Sequence, residues 1–200
     1  NGIVGLKPTF GRVSVYGVIP VAWSLDTIGP LVNSVRDAAI ILQATAGYDE
    51  NDPGSARVGV PNYLHEIGHL DRPPRIGVVK DFFMENADLA VRTHTEEVIH
   101  RLSLAGAEVK RVSLPVSFAK SMAIQWVVMN VECAAYHEEQ FRTRADDYSE
   151  QLRKRIELGF LTPAITYIQA QRFRRVFRRD LDFLTRQWDV LITPSTPTAA

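Results

Sequence analysis

Between Arg75 and Pro115 the chain reads strand, helix, strand, and this order limits its fold more than any other stretch. RIGVV (75–79) is a short apolar run suited to a buried strand. Asp88 is placed to cap a helix running through Ala105, with Leu89, Val98 and Leu102 among its apolar positions and Gly106 to stop it. VKRVSLP (109–115) then alternates as a strand does. That spacing fits a crossover helix between two parallel strands. The expected class is α/β, a mixed β-sheet with flanking helices. At 200 residues, 46% of them hydrophobic, the chain is long enough for one domain with a real core.

The flanking segments extend this reading. Ile3–Leu6, Val13–Tyr16 and Val18–Val21 read as short strands or extended loops, set among Gly and Pro. Ser34 is a good N-cap for a helix on which Ala38, Ile41, Leu42 and Thr45 share a face, and Gly47 ends it. Residues 48–62 are polar and rich in Pro and Gly, as loops are. A long helix is expected from Ser117 to Phe141 and another from about Ala145 to Leu158. A third follows Pro163, with Ile165, Ile168, Phe173, Val176 and Phe177 as its apolar stripe. Trp188 leads into DVLIT as a buried strand, which PSTPTAA leaves as a stiff loop.

Charge and cysteine content exclude some partners. Lys plus Arg and Asp plus Glu both number 23, so the overall balance gives no reason to expect nucleic acid or an anionic membrane. A single Cys rules out an internal disulfide framework and fits a reducing, cytoplasmic setting. No apolar run approaches a membrane span, and no signal peptide is visible.

The sharpest motif is HEIGH, His65 to His69, which satisfies the zinc pattern H-E-x-x-H. Such a site needs a sturdy helix, but Pro61 and the Pro73–Pro74 pair bound this stretch and Gly68 lies inside it. Arg72 and Arg75 stand where a longer zinc motif would place Gly and His. Glu85 is a conceivable third ligand; otherwise His65 and His69 belong to a polar loop or short surface helix. GIVGLKPT has neither the Gly spacing nor the residue after Lys7 that a phosphate loop requires, and no dinucleotide fingerprint occurs. Cys133 and His137 lie one helical turn apart, either as a thiolate–imidazole pair or, by preference, as a buried small hydrophobe beside a surface histidine. Arg172, Arg175 and Arg179 lie close together in RFRRVFRR, which reads as a solvated helix face rather than a phosphate site. Trp126 and Tyr136 are expected in the core or against a pocket. No Ser–His–Asp set and no nucleophile elbow is discernible.

Three stretches carry a resemblance to a known family. They are NGIVGLKPTFGRVS with Gly5–Ser14, the Ser24–Pro30 turn SLDTIGP, and Val35–Gly47, VRDAAIILQATAG. The late segments YIQAQRFR (167–174) and DVLITPSTPTAA agree in order and spacing. Together they resemble the amidase signature family, whose members hydrolyse amides with a Ser nucleophile, a second Ser in a cis peptide and a Lys. The resemblance places all three upstream of the segment matching Asn1, so none maps onto this chain. It implies the C-terminal portion of one amidase domain over residues 1–200, acting on a small-molecule amide and inactive by itself. It implies no metal or organic cofactor. Asp26 is then expected to support the site by hydrogen bonding or to make its turn. Thr193, Ser195 and Thr196 are expected to approach the pocket, and Trp126, Asn130 and Glu132 to form a substrate wall. In the tRNA-dependent amidotransferase, the related amidase-like chain carries a Tyr-rich run where this chain has LTPAITYIQAQ, so the departure favours a stand-alone amidase. Competing readings are a zinc peptidase on HEIGH and a non-catalytic interaction domain on an amidase scaffold. A partial α/β unit would also expose sheet edges and apolar surface, which leads to an expected homo-oligomer.

Overall fold

The computed structural model describes residues 2–199. In chain order the regular elements are β1 (Val4–Gly5), β2 (Leu31–Val32), α1 (Val35–Thr45), α2 (Tyr63–Glu66), β3 (Arg75–Val79), α3 (Phe83–Asn86), α4 (Leu89–Leu104), β4 (Glu108–Val112), α5 (Ser121–Arg144), α6 (Glu150–Leu161), α7 (Ala164–Thr185) and β5 (Val190–Ile192). They fall into two compact units, Asn1–His69 with Ala123–Gln171, and Leu70–Met122 with Arg172–Ala200.

The second unit is the parallel layer that the strand–helix–strand reading anticipates. Strand order is β4-β3-β5, and β3 pairs in parallel with both neighbours. As the central strand, β3 is covered on both faces, and Ile76, Val78 and Val79 are buried. Gly77 leaves room for Trp188, since a Cβ there would lie 3.0 Å from the indole ring. The Asp88 side chain accepts from the Val91 amide and starts α4 as expected. The half-buried face of α4 runs through Val91, Thr95, Val98, Ile99 and Leu102. Leu89 is exposed because the first helical residue points away from that face. Before the long helix, Val116–Lys120 forms a 3-10 turn, so α5 begins at Ser121 rather than Ser117.

An ion-paired clasp closes the amino-terminal edge of this sheet. Asp189 accepts from Arg72 in a two-pronged contact, 2.7 Å on each oxygen, and from the Arg75 amide at 2.8 Å. The Asp189 amide donates back to the Arg75 carbonyl. The Arg72 guanidinium first, and then the Arg75 donors, hold the Asp189 carboxyl well below the usual carboxylate range. A depressed carboxyl stabilises the fold fully above its unfolded value of about 3.9 and loses that contribution as pH falls through the folded value. Thermal melts are therefore expected to drop between about pH 4 and lower pH, and Asp189→Asn is expected to flatten that part of the profile. An acid profile unchanged by the substitution would count against the clasp.

In the first unit, β1 and β2 pair antiparallel, so both pairing senses occur, in separate sheets. The first strand reading shrinks to Val4–Gly5. Val13–Tyr16 contributes one bridge, Val13 to Ala46, and Val18–Val21 is loop. Backbone contact replaces ladder here. A Cβ at Gly29 would meet the Leu6 carbonyl, and the Leu6 amide donates to Pro30 at 3.0 Å. The GLKP and SLDTIGP segments thus cross where only glycine fits.

Helix α1 begins as expected, with Ser34 accepting from the Asp37 amide. Its buried face is Ala38, Ala39 and Leu42, while Ile41 and Thr45 are exposed, a rotation from the expected stripe. Past α5, a 3-10 turn at Ala145–Asp147 and the extended Tyr148 break the helix expected from Ala145, and Ser149 caps α6. Helices α5 and α6 approach closely. Cys133, Ala134 and Ile156 form a sealed cluster, and Gly159 lies against the Asn130 backbone. In α7, Ile165 and Ile168 are exposed and Ala170 is buried, with Tyr167 and Gln171 partly covered. The apolar stripe read from the sequence is therefore not the packed face of this part of the helix.

Candidate functional site

Glu132, on α5, is 1% exposed and sits at the centre of a polar network in the first unit. Its Oε1 accepts from Ser24 Oγ at 2.7 Å and from the Tyr167 hydroxyl at 3.0 Å. Its Oε2 accepts from the Ser24 amide at 3.0 Å. Gln171 donates to the Tyr167 hydroxyl at 2.9 Å, one helical turn along α7. The donors named are neutral, and their hydrogen bonds hold this carboxylate under the surface.

The network fixes a turn. Asp26 Oδ2 accepts from the amides of Val21 and Ala22 at 2.8 and 3.0 Å. The amides of Leu25 and Asp26 donate to the Ala22 carbonyl. Residues 21–26 thus close on themselves, and Glu132 clamps the middle of the turn through Ser24. Both hydrogen bonds to the Asp26 side chain lie within the turn that Asp26 itself closes, which is the turn-making role expected of it.

The turn forms one side of a cavity of about 490 Å³. Phe10, Tyr16, Trp23 and Tyr136 give its aromatic walls, and Ser24, Asp26, Asn51 and Asp52 its polar groups. Asp52 is buried, with Oδ1 taking the Gly54 amide and Oδ2 the Val15 amide. A concave, largely apolar space with few fixed polar groups is the usual form of a small-molecule site.

The other expected residues are not among those lining this cavity. Trp126 stacks under the Arg155 guanidinium at 4.7 Å and does not line this cavity. Asn130 is buried against α6, and its Oδ1 has no hydrogen-bond partner among the described residues. Thr193, Ser195 and Thr196 follow β5 in the second unit, where the Thr193 hydroxyl donates to the Pro194 carbonyl and that of Thr196 to the Thr198 carbonyl. Ser24, Tyr167 and Gln171 were missed by sequence reasoning. The local signal for the last two is their i, i+4 spacing in YIQAQRFR.

The remaining motifs resolve locally. Helix α2 stops at Glu66, Ile67 is extended and Gly68 has φ +86°, so His65 and His69 do not share the helix that H-E-x-x-H requires. Their rings stack at 4.8 Å instead. Glu85 accepts from the Phe82 amide within its own unit. No group of three metal-ligating side chains gathers among the described residues. Cys133 is sealed, and burial pushes its thiol up, while His137 Nδ1 contacts the Tyr148 hydroxyl at 3.1 Å. In the arginine run, Arg179 pairs with Asp180 and Arg178 with Asp182. No helix among the described residues is long and apolar enough to cross a membrane.

Comparison with known proteins places these features. The sequence model of the family described as Amidase matches residues 1–200. The chain is 37% identical over 224 residues to the glutamyl-tRNA(Gln) amidotransferase A chain of Koribacter versatilis, covering 100% of this chain and 46% of that protein. It is 37% identical over 198 residues to an amidase of Pseudomonas putida, covering 98% of this chain and 42% of that protein. A solved structure described as a vestigial protein complex that reveals the evolutionary origins of an s-triazine catabolic enzyme matches with a TM-score of 0.89 at 34% identity, covering 98% of this chain and 42% of that one. The chain spans less than half the length of each of these relatives.

Proposed function

Because the chain belongs to the amidase family, we propose that it is the C-terminal portion of one amidase domain, in an enzyme that hydrolyses a linear carboxamide to a carboxylate and ammonia or an amine. The observation that carries this reading is the family match through residues 1–200, which includes the Ser24–Pro30 turn beside the aromatic cavity. This chain would supply the wall and its support, and the Ser, cis-Ser and Lys would stand upstream of Asn1. The Lys takes a proton relayed from the nucleophilic Ser through the second Ser. The Ser oxygen bonds to the carbonyl carbon while backbone N–H groups hold the oxyanion. The C–N bond breaks, the amine leaves with the proton, and water releases the acid from the acyl-enzyme.

A stand-alone amidase is favoured over a component of an amidotransferase. The match to the Pseudomonas amidase runs over 198 residues for a chain of 200, whereas the match to the Koribacter amidotransferase chain needs 224. The departure at LTPAITYIQAQ points the same way. The same reading proposes a cytoplasmic setting and no nucleic-acid partner. Exposed apolar side chains such as Ile19 and Leu31 lead us to propose self-association.

The test measures ammonia release from a panel of carboxamides by the gene product purified from its native source, after its intact mass is determined. The 200-residue chain is assayed in parallel. The native product is expected to turn over at least one amide and the isolated chain none. Hydrolysis by the isolated chain that disappears on substituting one of its own residues would overturn the assignment.

A further inference from the structure

The cavity beside Asp26 has a charge character that the family match does not explain. Its walls are aromatic, with Phe10, Tyr16, Trp23 and Tyr136 all partly exposed toward solvent. Two carboxylates line it, and no Lys, Arg or His among the described residues does. Both hydrogen bonds that Asp26 takes from backbone amides fall on Oδ2. Asp52 has each oxygen committed to one backbone amide. Aromatic faces present negative electrostatic potential and attract ammonium groups, and a carboxylate in the same cavity adds to that attraction. A carboxylate ligand would meet repulsion from both aspartates and find no cation in the lining to offset it.

We propose that this cavity recognises an organic cation, a primary ammonium carried on an aromatic body, with Asp26 receiving its N–H donors. The volume, about 490 Å³, is ample for one substituted ring. That the cation belongs to the amide substrate rests on the hydrolase reading. The binding itself does not.

Binding is measured on the 200-residue chain by calorimetry and tryptophan fluorescence, with benzylamine as the cation, benzamide as its neutral and benzoate as its anionic counterpart. Benzylamine is expected to bind saturably and benzoate at least tenfold more weakly. Asp26→Asn keeps an oxygen for the Val21 and Ala22 amides but removes the charge, and should weaken benzylamine about tenfold or more. Equal binding of benzoate and benzylamine, or benzylamine binding unchanged in the Asn variant, overturns the proposal. Should Asp26→Asn fail to fold, Tyr136→Leu decides, because that side chain is half exposed on α5. Several-fold weaker benzylamine binding supports the site, and undiminished binding ends it. In the native enzyme, 4-(aminomethyl)benzamide should be hydrolysed with a lower KM than 4-carbamoylbenzoate. If the native enzyme hydrolyses no amide of the panel while the chain still binds benzylamine selectively, the hydrolase reading fails and the cation site stands.

Discussion

Gly159→Ala is expected to destabilise the first unit by about 3 kcal/mol, against the ordinary preference of helices for alanine. Gly159 lies in α6, where alanine would normally gain about 1 kcal/mol over glycine. The added Cβ would stand 2.5 Å from the Ala134 Cβ and in direct collision with the Asn130 carbonyl oxygen. Backbone of a long helix cannot turn aside as a flexible side-chain tip can, so α5 and α6 must separate. Separation opens the cluster of Cys133, Ala134 and Ile156, among the most deeply buried residues of the unit. The overpacking cost therefore outweighs the propensity gain. Urea unfolding of the wild-type and variant chains measures the difference, and a variant as stable as the wild type would mean that the helices pack less closely than described.

Glu132→Ala is the second large effect, expected at about 2–4 kcal/mol. The substitution removes little apolar surface. Its cost lies in what remains, since the Ser24 amide, the Ser24 hydroxyl and the Tyr167 hydroxyl lose their shared acceptor. Glu132→Gln keeps one carbonyl oxygen and should cost about half as much. Tyr167→Phe is expected to cost less beside Glu132→Ala than in the wild type, because the two groups share a hydrogen bond. Full additivity in that cycle would show that the network is not coupled. The cavity should respond as well. With the Ser24–Glu132 bonds gone, the turn carrying Trp23 and Asp26 is held less firmly, and the intrinsic fluorescence should shift.

The strand–helix–strand portion was legible because each of its signals is local. RIGVV, the Asp88 cap and Gly106 fix their elements within a few residues, and β3, α4 and β4 appear as expected. The site was less legible. Asp26 and Glu132 were singled out through the family resemblance, and no local pattern reveals that Ser24 joins them from a distance. In α7 the periodic apolar residues Ile165 and Ile168 pointed to one face, and packing chose the face of Tyr167, Ala170 and Gln171. A buried carboxylate needs hydrogen-bond donors more than it needs hydrocarbon, so the polar face turned inward. Periodicity scores hydrophobicity alone and cannot anticipate that exchange. HEIGH failed for the converse reason. The spacing was right, but the short α2 ended between its two histidines.

The Ser24–Glu132 contact also governs how this unit can be made. The two residues are 108 positions apart, and the segments between them include one that belongs to the other unit. A ribosome delivers Phe10, Tyr16 and Trp23 long before Glu132, and Tyr167 later still. During that interval the SLDTIGP turn has no clamp and the aromatic wall has no α5 behind it. At about 5–20 residues per second, the delay from Ser24 to Tyr167 is on the order of ten seconds. Long-range closure of this kind slows folding and leaves apolar surface open to other chains. The nascent chain is therefore most vulnerable to aggregation before α7 emerges, and a chaperone that shelters the stretch up to His69 would act on the interval that the fold itself leaves uncovered.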